Sequence, residues 1–262
     1  MAEAGLVISQ LCRRPGPRLE RLLEACGPWS LGRVPEPDWL AGRRHRRSFH
    51  WGLGPAEIDF KKAFCREGLD WRLKELEVEL FSFDLGPAAR RHLLGLPLSR
   101  PLGPSAILRR SRAALAMVRR FYRGPMAAEN YNFYPTGFYD HITEPDFIDQ
   151  YLTELDLGLV LDLAHAQISA HNLGRPIWDY LQALPLEKVR ELHLSRPWLP
   201  GRPGLLAVDE HQAPGEREWT LLEKLLKSGR LPQATVVLLE YYRDLGKLVK
   251  AQARLVEILT GP

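Results

Sequence analysis

The 262-residue sequence predicts an α/β protein with a single (β/α)₈ barrel of the TIM type, one domain spanning residues 1–262. Short apolar runs alternate with longer segments of helical periodicity, which is typical of a parallel sheet covered by helices. Eight such apolar runs can be counted, which is the number of strands in one barrel. The length of the chain is also close to that of one barrel.

The predicted strands are the apolar runs at 6–9, 48–51, 76–83, 126–129, 158–163, 189–194, 205–208 and 235–240. The predicted helices lie at 107–122, 147–155, 177–184, 218–226 and 245–259. In the first of these helices, apolar residues such as Ile107 and Leu115 share one face and arginines occupy the rest. Asp146 follows a Glu-Pro pair, so it is predicted to cap the second helix.

Two segments depart from the regular pattern. Residues 27–47 contain three prolines and two tryptophans and predict an extended loop, so the N-terminal part is the least defined. Residues 195–204 are too rich in proline and glycine for a helix, which makes one of the crossovers irregular.

Composition and charge argue against several classes of function. The sequence has no apolar run of eighteen residues and no secretory signal, so we expect a cytoplasmic protein that does not span a membrane. Its three cysteines, Cys12, Cys26 and Cys65, are widely spaced and predict reduced structural thiols. The net charge is +4, and arginines cluster at 43–47 and 109–123. No nucleic-acid-binding signature accompanies these clusters, so they predict a solvated face rather than a nucleic-acid partner.

Polar side chains follow or close seven of the predicted strands. They are His50, Asp84, Glu129, Asp162, His165, His193, Asp209, His211 and Glu240. The carboxyl ends of the strands meet at one mouth of a barrel, and this is where such proteins carry their chemistry. Carboxylates gathered there would repel one another, and a bound cation relieves that repulsion. Imidazole and carboxylate together suit iron, zinc, manganese or cobalt, so the sequence predicts a metal site.

Simpler roles stay open for single residues. His50 or His193 alone could be a hydrogen-bonded core histidine, and Glu240 could pair with Arg243. The aromatic run at 130–139 could form a wall of the pocket or a packed loop. The remaining histidines are predicted at the surface (His45 and His92) or in loops near the mouth (His141 and His171).

From about residue 48 to 262, the ordered segments resemble the multinuclear non-haem iron-dependent oxidase family, which includes the methanobactin biosynthesis oxidase. The segments that carry the resemblance are FHWGLGPAEID, AAEN, LVLDLAHAQISAHNLG, VRELHLS, VDEHQAP and VVLLEYYRD. The resemblance implies two or three iron ions, dioxygen as the oxidant, and a cysteine-containing precursor peptide that a small partner protein presents. It implies the ligands His50, Glu129, Asp162, His165, His193, Asp209, His211 and Glu240, and we assign catalytic roles to Glu129, Asp162 and Glu240.

This sequence departs from the family pattern at three places. Asp84 stands where the family usually has a histidine, and we include it among the metal ligands. The segment HLSRPW lacks the second histidine that usually follows the sixth strand, and a glutamate-rich sequence is missing between the first two strands. These departures indicate a divergent member.

Two other functions remain open from the sequence. Divalent-metal isomerases and phosphodiesterases, with zinc or manganese, also gather histidines and carboxylates at barrel strand ends. An isomerase usually needs a lysine near the metal, and Lys61 and Lys62 lie too far beyond the second strand. A barrel that has lost part of its site could instead act as a non-catalytic binding protein.

Overall fold

The computed structural model describes residues 2–7, 17, 22, 29–31, 47–57, 60–75, 78–89, 92–93, 96–202, 204–234 and 236–261. Its strands are β1 (Glu3–Val7), β2 (Trp29–Leu31), β3 (Arg47–Trp51), β4 (Leu80–Asp84), β5 (His92–Leu93), β6 (Leu96–Pro97), β7 (Met126–Glu129), β8 (Gly158–Asp162), β9 (Val189–Leu194), β10 (Arg196–Trp198), β11 (Val208–Gln212) and β12 (Val236–Leu239). Eight of them close a barrel in the order β1-β12-β9-β8-β7-β4-β3-β2. All neighbours in this barrel are parallel, which confirms the predicted fold class.

The helices are α1 (Phe60–Arg66), α2 (Leu69–Glu75), α3 (Pro104–Val118), α4 (Pro145–Leu155), α5 (Leu163–Asn172), α6 (Ile177–Ala183), α7 (Glu216–Lys227) and α8 (Leu245–Thr260). The five predicted helices correspond to α3, α4, α6, α7 and α8. The sequence prediction missed α5 because its first eight residues are all buried, so it shows no amphipathic stripe. It also missed the short helices α1 and α2.

Two predicted elements are wrong in detail. Asp146 does not cap α4, because Glu144 is the N-cap residue and Pro145 opens the helix. The run at 205–208 is not a barrel strand. Its last residue, Val208, opens β11, which pairs antiparallel with β10 in a hairpin outside the barrel.

β9 pairs directly with β12, and the eighth strand of the barrel is β2 instead. This strand lies in the segment predicted to be a loop and pairs with β1 and β3. Residues 32–46, including His45 and most of the first arginine cluster, lie outside the described residues, as do Cys12 and Cys26 and the side chain of His92.

Side chains along the barrel strands point alternately outward, into the apolar core between the strands and the helices, and inward, into the barrel. In β3, Phe49 and Trp51 are fully buried, and the Trp51 ring lies 4.8 Å from Phe60 and 5.9 Å from Phe64 in α1. His50 lies between them in the strand and therefore faces the opposite way, into the barrel. The same period repeats in other strands and places polar side chains inside. Among the described residues, no helix combines the length and apolar character needed to cross a membrane.

Candidate metal centre

The register of the sheet brings the predicted site residues together. Asp84 at the end of β4 lies opposite Glu129 of β7, and Asp162 at the end of β8 lies opposite His193 of β9. Because all these strands are parallel, their carboxyl ends lie at the same mouth of the barrel. The side chains therefore converge although they come from distant parts of the chain.

Glu129 lies at the centre of this arrangement. Its side chain is only 2% exposed. Its Oε2 atom lies 3.2 Å from Nε2 of His50 and 3.6 Å from Nδ1 of His193. Its Oε1 atom lies 3.2 Å from Nδ1 of His165. One carboxylate thus contacts three imidazole rings from three different elements.

Two groups of donor atoms have the spacing of a metal site, and they share Glu129. One group is His50, Asp84 and Glu129, and the other is Glu129, Asp162, His193 and Glu240. Within each group, the candidate donor atoms all lie within 4.8 Å of one another. Asp84 Oδ1 lies 3.0 Å from His50 Nε2, so a carboxylate completes this group.

The other three predicted ligands border these groups. Asp209 Oδ2 lies 3.5 Å from Nε2 of His165, and its Oδ1 lies 2.9 Å from Nδ1 of His211. His211 Nε2 lies 3.1 Å from Glu240 Oε1. Asp209 and His211 come from β11 of the hairpin, so the hairpin closes one side of the centre. His211 has a φ of 45°, a left-handed backbone conformation that costs a non-glycine residue energy.

Two buried atoms of the larger group have no hydrogen-bond partner among the described residues. They are Oδ2 of Asp162 and Nδ1 of His193. A buried polar atom without a partner costs about 1–3 kcal/mol and is rare. A carboxylate oxygen and an imidazole nitrogen are ligand atoms that bind iron, zinc or manganese. The residues present therefore fit a bound metal ion.

The charges of the centre are strongly coupled. Burial alone would raise the pKa of Glu129, but the nearby rings of His50 and His193 hold it well below its ordinary value. Burial alone would lower the pKa of His50, yet the Glu129 and Asp84 carboxylates raise it to about 9. Without metal, imidazolium and carboxylate groups thus compensate one another in the barrel.

The hairpin side of the centre shows the same pattern. Burial opposes the charged form of His211, but hydrogen bonds with Asp209 and Glu240 raise its pKa to about 11. Asp162 behaves differently, because burial raises the pKa of its carboxyl to about 7 and the charge of His165 only partly opposes this.

Three residues support the ligands in roles that the sequence analysis did not assign. Ser82 Oγ lies 3.0 Å from Nδ1 of His50, and Glu191 Oε1 lies 2.9 Å from Nε2 of His193. Ser82 precedes Asp84 by two residues in β4, and Glu191 precedes His193 by two residues in β9. Residues two apart in a strand share one face, so this spacing could have revealed both supporting residues. Asn130 bridges to Asp162, with its side chain accepting from the Asp162 amide at 2.8 Å and donating to its carbonyl at 3.0 Å.

The remaining sequence candidates take structural positions. The aromatic run lines the site, since the Tyr131 ring lies 5.8 Å from the ring of His165 and stacks on Tyr139. His171 lies on α5 rather than in a loop, and its Nε2 contacts the Leu205 carbonyl oxygen at 3.0 Å. His141 lies beside Phe147, with the two rings 6.2 Å apart.

The predicted alternative of a pair between Arg243 and Glu240 is not what the structure shows, because Glu240 contacts His193 and His211. The Arg243 guanidinium donates to the main-chain oxygen of Glu210.

Fold and site together define a TIM-barrel protein with histidines and carboxylates grouped at the carboxyl end of its strands. Solved structures agree on the fold: a xylose isomerase domain-containing protein from Salmonella typhimurium has a TM-score of 0.68 at 12% identity, covering 99% of this chain and 98% of that one. The IOLI protein with a binding zinc atom has a TM-score of 0.66 at 13% identity, covering 98% of both chains. Endonuclease IV from Thermus thermophilus has a TM-score of 0.64 at 17% identity, covering 98% of this chain and 99% of that one.

The chain belongs to the family of RiPP precursor modification enzymes MbnB/TglH/ChrH, whose model matches residues 83–259. A UPF0276 protein of Caulobacter sp. (strain K31) is 33% identical over 87 residues, which is 33% of this chain and 32% of that protein. A UPF0276 protein of Bordetella parapertussis is 30% identical over 164 residues, 56% of each chain. These alignments thus span between about a third and just over half of the relatives' length.

Proposed function

We propose that the chain is an iron-dependent oxidase that modifies a ribosomally made precursor peptide at cysteine, with dioxygen as the oxidant. The observation that carries this proposal is the pair of donor groups sharing Glu129, inside the barrel of a family of precursor modification enzymes. A carboxylate shared by two donor groups could hold two metal ions close together, an arrangement that two-metal enzymes use.

In this proposal each described donor has a place. His50, Asp84 and Glu129 would hold one ion, and Glu129, Asp162, His193 and Glu240 would hold a second. His165 and His211 both contact Asp209 beside these groups, and these three residues would be the ligands of a third ion. Bound iron would supply a redox-active Lewis acid for the thiolate and the oxidant. Glu129, Asp162 and Glu240 balance charge at the reacting atoms, and Tyr131 and Tyr139 close one wall against water.

The surroundings of the mouth support a substrate as large as a peptide. The hairpin carries the exposed apolar side chains of Trp198, Leu205, Leu206 and Val208, with exposed fractions of 36–51%. A group of exposed apolar side chains is typical of an interaction site. Tyr242 is also exposed, and its ring lies 5.9 Å from the ring of His211. A small partner protein that presents the peptide, a cytoplasmic location and a single domain over 1–262 belong to the same proposal.

Anaerobic reconstitution with ferrous iron tests the proposal directly. We expect two or three equivalents of iron per chain, and oxygen uptake that begins only when a cysteine-containing precursor peptide is added. The same peptide with serine in place of cysteine is the matched control and should give no uptake. Binding of zinc alone, without oxygen uptake, would contradict the proposal. Hydrolysis of a phosphodiester with zinc or manganese would instead favour the alternative of a hydrolytic barrel.

Metal affinity is expected to rise with pH. In the metal-free protein the pKa values of about 9 for His50 and about 11 for His211 mean that both rings carry protons at pH 7. A ring must lose a proton to bind a metal, so metal binding releases protons and higher pH favours it. For each proton that the metal displaces, the metal affinity should rise about tenfold for every unit by which the pH is raised, as long as the pH stays below the pKa of that group.

Competition with a zinc-buffering chelator at pH 7, 8 and 9 measures this dependence. Calorimetry in two buffers of different ionisation heat counts the protons released. An affinity that stays constant between pH 7 and 9, or an uptake of protons, would show that the rings are not ligands.

A further inference from the structure

In each of three site histidines, His50, His165 and His193, one ring nitrogen lies within hydrogen-bond distance of a group outside the two donor sets. Ser82 holds Nδ1 of His50, and the Asn130 carbonyl oxygen lies 2.9 Å from Nδ1 of His165. For His193 the roles of the ring atoms are reversed, because Nε2 is the held nitrogen and its partner is Glu191. Glu191 is the single carboxylate among these three partners.

Glu191 occupies an unusual place for a charged residue. It precedes His193 by two residues in β9, and it lies opposite Val160 of β8 and Val236 of β12. Both of its register partners are therefore apolar, and it is only 3% exposed. A carboxylate in such a place is costly unless it makes a strong hydrogen bond. The contact of 2.9 Å with Nε2 of His193 supplies one.

The bond to Glu191 decides which nitrogen of His193 faces the centre. A carboxylate only accepts hydrogen bonds, so Nε2 carries the proton. Nδ1 then points at the donor group, 3.6 Å from Glu129 Oε2 and 3.7 Å from Glu240 Oε2, and it is one of the two buried atoms without a hydrogen-bond partner. An anionic acceptor also makes the ring a stronger donor to a metal than a neutral one does.

We infer that Glu191 is a positioning residue that orients His193 and strengthens Nδ1 as a metal donor. This inference rests on the proposed metal centre, but it concerns a residue outside both donor groups. It predicts that the group of Glu129, Asp162, His193 and Glu240 depends on Glu191, whereas the group of His50, Asp84 and Glu129 depends on Ser82.

Zinc binding to the full-length protein, measured by chelator competition, tests the inference without any need for catalysis. Glu191→Gln keeps a hydrogen-bond acceptor but loses the charge, and it should weaken zinc binding at the group that contains His193 about 10-fold. Glu191→Leu removes the acceptor as well and should weaken zinc binding at this group about 100-fold. Glu218→Gln is the matched control, because Glu218 is also buried but caps α7 through the Gly215 amide. It should leave zinc affinity unchanged.

A side-chain ¹⁵N spectrum of the zinc-loaded protein separates positioning from a merely structural role. Wild type should show His193 protonated at Nε2 and metal-bound at Nδ1, with signals assigned by their loss in His193→Gln. Glu191→Gln should retain this pattern and Glu191→Leu should lose it.

Unchanged zinc affinity in folded Glu191→Leu, or in Glu191→Gln if the leucine variant does not fold, would overturn the inference. If wild type itself binds no zinc and no iron, the metal centre fails as well, so the two failures are distinguishable.

Discussion

Glu129→Gln is expected to remove both candidate metal groups at once. Glu129 is the shared member of the two donor sets and contacts the rings of His50, His165 and His193. Loss of an outer partner of a ligand typically costs 10–100-fold in affinity, so loss of this bridging carboxylate should cost more than about 100-fold. Metal analysis after anaerobic iron reconstitution should find at most about one equivalent per chain, which the proposed third position would hold.

Substitutions of unshared donors are the internal controls for this experiment. Asp84→Asn should weaken only the group with His50, and Glu240→Gln only the group with Asp162 and His193. Each should leave about one tight equivalent fewer than wild type. A Glu129→Gln protein that keeps two equivalents would show that the carboxylate does not bridge.

The same substitution should also destabilise the metal-free protein. Burial opposes the charged form of His193, and Glu129 is the main group that raises the pKa of this ring well above its ordinary value. Breaking a buried charge pair by removing one partner typically costs about 3–5 kcal/mol. Histidines with raised pKa values contribute their stabilisation below the unfolded-state value of 6.5 and lose it as the pH rises through the folded-state value, about 9 for His50. The difference in unfolding free energy between wild type and Glu129→Gln should therefore be smaller at pH 10 than at pH 6, because His50 is neutral at the higher pH.

Trp51→Ala is expected to lower the free energy of unfolding by about 3–5 kcal/mol. Its side chain is fully buried between β3 and α1, packs on Phe60 and Phe64, and donates a hydrogen bond of 2.9 Å to Glu67. The substitution leaves a large cavity and removes a donor from Glu67.

Trp71→Ala is the matched control for this prediction, because Trp71 is 53% exposed on α2. Its effect should be about 0.5 kcal/mol. Chemical denaturation followed by circular dichroism measures both variants. Equal losses of stability in the two variants would contradict the packing described for β3 and α1.

Part of the fold could be read from local pattern, and part could not. The eight-stranded barrel and five helices follow from apolar periodicity, but β2 is only three residues long and lies in a segment rich in proline. The run at 205–208 looked like a strand because Leu205, Leu206 and Val208 are apolar, yet these side chains are exposed on the hairpin. A short run does not encode its pairing partner, because that choice depends on contacts with distant segments.

The sequence by itself determined the barrel class and which residue types stand at the ends of its strands. Six of the nine predicted site residues stand in or directly after barrel strands, where a period of two residues places them on the inner face; they are His50, Asp84, Glu129, Asp162, His193 and Glu240. His165 lies on α5, and Asp209 and His211 lie on the hairpin, so the strand period alone does not place them. The tertiary structure decided how these residues group. Closure of the barrel places Glu129 between two donor sets, and Asp84 joins one of them. It also places Glu191 between Val160 and Val236 of the neighbouring strands, since contacts across a barrel depend on register and closure rather than on sequence spacing.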